Sequence, residues 1–143
     1  LAIACGIVTG KKFGDNARAA LITRGLAEMV RLGLAKGAKF ETMMGLSGLG
    51  DLTLTCNGAQ SRNMSLGMAL GEGRQLSDIL AERRSVAEGV DTSRSMSTLA
   101  ESLGVEMPIC DAINRILHQN ENVDDVIRTL LRRPFRAENP KLN

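Results

Sequence analysis

The sequence predicts an all-α domain of about six to eight helices, because apolar residues recur at three- and four-residue steps along most of the chain. Aromatic residues make up only 2% of the 143 residues, so the core must be aliphatic. Strand-rich domains depend on β-branched and aromatic side chains, whereas seven Met and many Leu and Ala favour helices. The length is that of one ordinary domain with a buried core.

The first two elements differ in how clearly their ends are marked. Residues 1–5 are apolar and resemble the tail of an element that begins earlier, so we interpret the chain as a fragment. Residues 15–36 carry the longest helical pattern, about 33 Å long, and we expect this helix to run through the centre of the domain. Glu28 lies within one turn of Arg24 and Arg31, a spacing typical of ion pairs along a helix.

A polar stretch at residues 48–63 stands between apolar helical patterns and has the composition of a site. Two glycines precede Asp51, and glycine lets the backbone bend or approach another group closely. Residues 52–55 alternate apolar and polar side chains, which fits a short strand or a short helix. Ser61 is interpreted as an N-cap, and Arg62 follows it. A helix N-terminus beside a guanidinium is typical of a phosphate site, although the same pair also occurs at surface helices without a ligand.

The remaining helices follow in order, and glycine, proline or a capping residue marks most of their ends. The pattern predicts helices from Ser61 to near Gly71, at residues 76–80, from Gly89 to Gly104, from Pro108, and from Asn122 to Pro134. Residues 83–88 form a polar connector. His118 ends the second-last helix and is interpreted as a solvent-exposed residue rather than a catalyst.

Charge and cysteine usage argue against several classes of function. A net charge of +2 is too small to indicate nucleic acid or an anionic membrane as a partner. No apolar run approaches the roughly 20 residues that span a bilayer. Cys5, Cys56 and Cys110 are an odd number without C-x-x-C spacing, so we expect no disulfide framework and no metal site, and a reduced cytoplasmic setting. No G-x-G-x-x-G fingerprint or P-loop is present.

Six short motifs then occur in a fixed order. They are FGDN at 13–16, ALITRGLAEM at 20–29, GLSGLGDLTLTC at 45–56, SRN at 61–63, AEGV at 87–90 and GVEMPI at 104–109. Together they resemble bacterial NAD(P)-dependent glycerol-3-phosphate dehydrogenases. The resemblance implies that residues 1–143 are the single helical C-terminal substrate domain, of the type found in 6-phosphogluconate dehydrogenase-like enzymes. It also implies an N-terminal Rossmann domain that this sequence lacks.

That family interconverts dihydroxyacetone phosphate and sn-glycerol 3-phosphate with NAD or NADP, in the synthesis of glycerophospholipid precursors. The resemblance implies two sets of contacts. Substrate contacts fall on Asp51, Thr55, Ser61, Arg62 and Asn63, and cofactor contacts on Arg62, Val86 and Glu88. The family's catalytic lysine would lie just before Leu1, so no catalytic residue is assigned and the fragment alone is expected to be inactive.

The chemistry expected of these groups follows from the charge that the reaction develops. Hydride addition to a ketone builds negative charge on the oxygen, which a nearby ammonium must stabilise and protonate. We expect Asp51 to hold that ammonium or to accept a substrate hydroxyl, while Arg62 and the Ser61 helix end bind the phosphate. The expected partners are the small-molecule substrate and the Rossmann domain, with a homodimer as an open alternative, and neither nucleic acid nor a membrane.

Two other classes of function stay open. A helical interaction module without chemistry predicts that Asp51 and Arg62 tolerate substitution in the parent protein. A helical nucleic-acid binder predicts salt-sensitive affinity for DNA or RNA. Neither class accounts for six motifs in one order.

Overall fold

The computed structural model describes residues 1–58, 60–82 and 88–133, and this part of the chain contains nine α-helices and no strand. The helices are α1 Ala2–Gly10, α2 Asp15–Ala35, α3 Phe40–Met43, α4 Asp51–Asn57, α5 Arg62–Gly71, α6 Leu76–Ala81, α7 Glu88–Ser102, α8 Pro108–His118 and α9 Val123–Leu131. A π-helical turn, Leu46–Gly50, leads into α4. The all-α prediction is confirmed. The count exceeds the prediction because helices as short as α3, with four residues, are too short to show a period.

The centre of the domain is the contact between α1 and α5. Residues 2–7 of α1 are all buried, and glycines on both helices let the two backbones touch. A Cβ added to Gly67 would overlap the carbonyl oxygen of Ile3, and one added to Gly71 would lie 2.5 Å from the carbonyl oxygen of Ile7. The expectation that the longest helix runs through the centre is therefore wrong: α2 buries only five of its 21 residues.

The main apolar core combines side chains from α1, α5 and α8 with single contributions from α6, α7 and α9. A second, smaller core lies between α1, α4 and α5, and it is bordered by α2. Both cores therefore use α1 and α5, so the positions of α4 and α7 depend on the same central pair. In the part of the chain that the structure describes, no helix is both long and apolar enough to cross a membrane.

Glu28 has a role that its spacing from neighbouring arginines did not indicate. Its side chain is only 1% exposed, and its carboxylate accepts the backbone N–H groups of Ile109 at 2.7 Å and Cys110 at 3.2 Å. These are second- and third-position N–H groups of α8, which have no partner within their own helix. A carboxylate of α2 thus caps the N-terminus of α8, and its burial raises the pKa of Glu28 despite the two hydrogen bonds.

His118 also differs from its prediction. It ends α8 as expected, but its imidazole is half-buried against α7 rather than exposed to solvent. The polar connector predicted at residues 83–88 lies outside the described residues except for Glu88, which opens α7. Pro134, the predicted end of α9, also lies outside them.

Candidate functional site

The N-terminus of α5 is built as the sequence predicts. The hydroxyl oxygen of Ser61 accepts the backbone N–H of Met64 at 3.2 Å, so Ser61 is confirmed as the N-cap. Arg62 and Asn63 are the first two residues of the helix, with Arg62 exposed and Asn63 half-buried. The helix end therefore presents its positive dipole beside a guanidinium at the surface.

The N-terminus of α7 lies directly against that of α5. The Arg62 guanidinium (Nη2) pairs with the Glu88 carboxylate (Oε1) at 3.2 Å, and the backbone N–H of Gly89 donates to the Asn63 side-chain oxygen at 3.0 Å. A Cβ on residue 89 would lie 2.5 Å from that oxygen, so this approach requires glycine. The structure thereby brings together residues that the resemblance divides between substrate and cofactor contacts.

Asp51 and Thr55 lie on one face of α4. The alternating pattern at residues 52–55 left strand and helix open, and the structure resolves it as helix. Asp51 is exposed in the first turn, and the Thr55 hydroxyl donates to the Asp51 backbone carbonyl at 2.6 Å. Residues four apart share a helix face, so the Asp51 carboxylate and the Thr55 side chain point to the same side. With its hydrogen used within the helix, the Thr55 oxygen is left as an acceptor for a ligand hydroxyl.

The bend before α4 needs its first glycine. A Cβ on Gly48 would overlap the carbonyl oxygen of Met43, so the turn closes tightly on the chain before it. The opposite face of α4, with Leu52 and Cys56, is buried against α1 and α5. Packing on the central pair therefore positions α4, and with it Asp51.

The cysteines near the site are buried thiols. The Cys5 thiol shares a hydrogen bond with the Cys56 thiol, and this bond together with burial raises the pKa of Cys5. Burial raises the pKa of Cys110 to about 11. Buried thiols with raised pKa values suit packing rather than nucleophilic chemistry.

The family model described as the C-terminus of NAD-dependent glycerol-3-phosphate dehydrogenase matches residues 1–128. The chain belongs to this family. Its identification rests on a match over most of the sequence, so the resemblance carried by the six motifs is confirmed.

The most similar relatives are full-length proteins of the same family. The chain is 62% identical over 138 residues to a glycerol-3-phosphate dehydrogenase [NAD(P)+] of Parvibaculum lavamentivorans, a match covering 96% of the chain and 41% of that protein. It is 59% identical to the protein of the same description from Rhodospirillum rubrum, covering 96% of the chain and 40% of that protein. The chain thus spans about two fifths of the length of the curated relatives it matches.

Two solved structures share the fold. The crystal structure of glycerol-3-phosphate dehydrogenase from Coxiella burnetii matches with a TM-score of 0.88 and 46% identity, over 92% of this chain and 41% of that one. Glycerol-3-phosphate dehydrogenase from Saccharomyces cerevisiae matches with a TM-score of 0.78 and 26% identity, over 90% of this chain and 38% of that one. The helical arrangement is therefore that of the C-terminal part of these dehydrogenases.

The structure places most of the expected site residues of this dehydrogenase family and adds one. Ser61, Arg62, Asn63 and Glu88 form one cluster, whereas Val86 lies outside the described residues. Gly89 was not singled out by sequence reasoning, although it supplies the N–H that binds Asn63. The only sequence signal for it is a glycine at the start of a helical pattern, which does not indicate a partner 26 residues away.

Proposed function

We propose that this chain is the substrate-binding domain of an enzyme that interconverts dihydroxyacetone phosphate and sn-glycerol 3-phosphate with NAD or NADP. The reaction supplies precursors of glycerophospholipids. One observation supports this most directly: the N-termini of α5 and α7 meet at the Ser61, Arg62 and Asn63 motif of a glycerol-3-phosphate dehydrogenase. The whole enzyme also includes an N-terminal Rossmann domain that precedes residue 1, consistent with relatives more than twice as long.

The phosphate of the substrate binds at the N-terminus of α5. A phosphate accepts two parallel N–H groups from a guanidinium and further N–H groups from a helix end. Arg62 supplies the guanidinium, and its pairing with Glu88 does not prevent this role. Both side chains are largely exposed, at 55% and 81%, and exposed ion pairs are held by only about 0–1 kcal/mol. The guanidinium can therefore turn toward a doubly charged ligand.

The cofactor borders the same corner. The exposed carboxylate of Glu88 offers acceptors for hydroxyl or amide groups of a dinucleotide, and Arg62 lies within reach of both ligands. Val86 belongs to the same proposed contact, and it lies in the part of the chain that is not described. When bound, the nicotinamide ring supplies the hydride.

The residues of α4 act on the other end of the substrate. As the carbonyl carbon gains a C–H bond, its oxygen gains negative charge and takes a proton from an ammonium group. We assign that ammonium to a lysine located before residue 1. The exposed Asp51 carboxylate holds the ammonium in place or accepts a substrate hydroxyl, and Thr55 offers a second acceptor beside it. Binding of the phosphate by Arg62 holds the carbonyl between these groups.

A direct test compares the full-length protein with the chain of residues 1–143. We expect the full-length protein to oxidise NADH or NADPH in the presence of dihydroxyacetone phosphate, followed by absorbance at 340 nm, and the chain alone to be inactive. Absence of turnover in the full-length protein would refute the proposed activity. Turnover by the chain alone would refute the assignment of the lysine and the hydride site to the preceding part.

Setting and assembly complete the proposal. We place the enzyme in the cytoplasm, because the described part holds three free thiols and no disulfide. A homodimer is proposed from the family resemblance, and light scattering on the full-length protein measures its mass directly. The two alternatives, an interaction module and a nucleic-acid binder, gain no support from the cluster of Arg62, Asn63 and Glu88.

A further inference from the structure

The first turn of α7 is bound by a third helix as well as by α5. His118, the last residue of α8, has its Nε2 atom 2.9 Å from the carbonyl oxygen of Val90 and 3.0 Å from the hydroxyl oxygen of Ser93. Its Nδ1 atom lies 3.0 Å from the Arg94 guanidinium (Nη2). All three partners belong to α7, so one imidazole connects the end of α8 to the start of α7.

The partners decide which ring nitrogen carries the proton. A guanidinium only donates, so Nδ1 must accept the hydrogen bond from Arg94. The proton of the neutral imidazole then lies on Nε2, which donates to the Val90 carbonyl. The Ser93 hydroxyl gives its own hydrogen to the same carbonyl at 2.7 Å, so its oxygen is available to Nε2–H as a second acceptor. A neutral His118 therefore has a partner at both nitrogens.

We infer that His118 is a positioning residue for the substrate site, because its bond to Val90 fixes the turn of α7 that binds Asn63 and Arg62. This inference rests on the proposed function. Val90 follows directly after Gly89, whose N–H binds Asn63, and after Glu88, whose carboxylate pairs with Arg62. The turn is thus bound from α5 and from α8 within three residues.

The packing around Gly89 transmits any displacement of this turn. A Cβ at residue 89 would meet the Asn63 side-chain oxygen at 2.5 Å and the Ile3 side chain at 3.0 Å. The backbone at Gly89 therefore has no free space on this side, and a shift of Val90 must move Asn63 or break its hydrogen bond. Asn63 is the residue after Arg62, so the phosphate corner moves with it.

The experiment compares two substitutions in the full-length enzyme. His118→Phe keeps the ring volume and removes both nitrogens, whereas His118→Gln keeps an N–H donor able to reach the Val90 carbonyl. Loss of a single hydrogen bond of ordinary strength predicts that His118→Phe raises the KM for dihydroxyacetone phosphate about five- to tenfold. We expect kcat to change less than about twofold, because substrate positioning is lost in ground state and transition state alike. His118→Gln should restore KM to within about twofold of wild type.

Glu121→Gln serves as the matched control. It breaks the Arg115–Glu121 ion pair next to the same end of α8 without touching a residue bonded to α7, so KM should equal that of the wild type. A His118→Phe enzyme with wild-type KM would overturn the inference, as would an equal rise in KM for His118→Phe and His118→Gln.

Hydrogen exchange separates this inference from the proposed function. Backbone exchange of a peptide that covers residues 88–93 should accelerate in His118→Phe and not in His118→Gln, whether or not the enzyme turns over dihydroxyacetone phosphate. Unchanged exchange in His118→Phe overturns the positioning role. A wild-type enzyme without turnover refutes the proposed function instead, while accelerated exchange still supports the contact between His118 and the first turn of α7.

Discussion

The N-terminus of α8 lies inside the domain, whereas those of α5 and α7 lie at its surface. At the buried end, the Glu28 carboxylate of α2 takes two backbone N–H groups of α8. At the exposed end, Ser61 caps its own helix, and Arg62 and Glu88 form an ion pair in solvent. Both ends use a carboxylate, but only the second leaves charged groups that a ligand can reach.

The difference shows how burial separates stability from binding. A buried carboxylate whose partners are backbone N–H groups cannot be removed without leaving those groups unsatisfied, and the cost appears in folding. An exposed ion pair contributes little to folding, so its residues are free to respond to a ligand. We therefore expect substitutions at Glu28 to change stability, and substitutions at Arg62 to change substrate use.

The largest expected effect is that of Glu28→Ala. It leaves two buried N–H groups without an acceptor and a cavity in their place, so we expect the free energy of unfolding of the chain to fall by about 3–5 kcal/mol. Urea denaturation followed by circular dichroism measures this. Glu101→Ala is the matched control on an exposed helix position, with an expected change within about 0.5 kcal/mol. Equal losses at both positions would remove the distinction between the two carboxylates.

Arg62→Lys should show the reverse profile. In the full-length enzyme we expect kcat/KM for dihydroxyacetone phosphate to fall roughly 10- to 150-fold, or about 1.5–3 kcal/mol, because an ammonium cannot give a phosphate two parallel N–H groups. The KM for NADH or NADPH should rise with it if Arg62 also contacts the cofactor. Stability should stay within about 0.5 kcal/mol of wild type, because Arg62 is exposed.

Substrates without phosphate provide the control for Arg62→Lys. With dihydroxyacetone or glyceraldehyde the penalty should largely vanish, because the group that the guanidinium binds is missing. An equal loss with and without the phosphate would contradict the phosphate role and leave Arg62 only a place in the cofactor site.

Glu28→Gln sharpens the comparison through pH. The pKa of Glu28 is raised above its ordinary value of 4.5 in the folded chain, so the folded state binds the proton more tightly than the unfolded state. The stability that Glu28 contributes is therefore fully present below 4.5 and is lost as pH rises through the folded-state pKa. Glutamine does not titrate. The stability advantage of wild type over Glu28→Gln should shrink as pH rises above 4.5, and an advantage that grows would contradict the direction of this pKa shift.

Local signals in the sequence predicted the local parts of this fold. The N-cap at Ser61, the N1 proline at residue 108 and the cap at Asn122 are all observed, because a cap is formed by neighbours in sequence. The bounds of α2 were also predicted within one residue. The substrate motif was found for the same reason, since its residues are contiguous.

Contacts between distant segments could not be predicted in the same way. Glu28 caps a helix that begins 80 residues later, and nothing around it in the sequence names that partner. The glycines that join α1 to α5 look locally like any other helical glycines, and only the paired backbone shows their purpose. His118 appeared to be an ordinary helix end, because its partners belong to another helix.

The smallest expected effect is that of Glu88→Gln on stability. Glu88 is 81% exposed in its side chain and its ion-pair partner Arg62 is 55% exposed, so solvent screens their attraction and side-chain entropy opposes it. We expect the free energy of unfolding of the chain to change by less than about 0.5 kcal/mol, and the change to vanish at about 0.5 M salt. Glutamine keeps the size and one oxygen of glutamate, so only charge is tested. A loss above about 1 kcal/mol that persists in salt would mean that this pair holds α5 and α7 together, as Glu28 does for α2 and α8. In that case the exposed helix ends would be structural, and Arg62 could not turn toward a phosphate without weakening the domain.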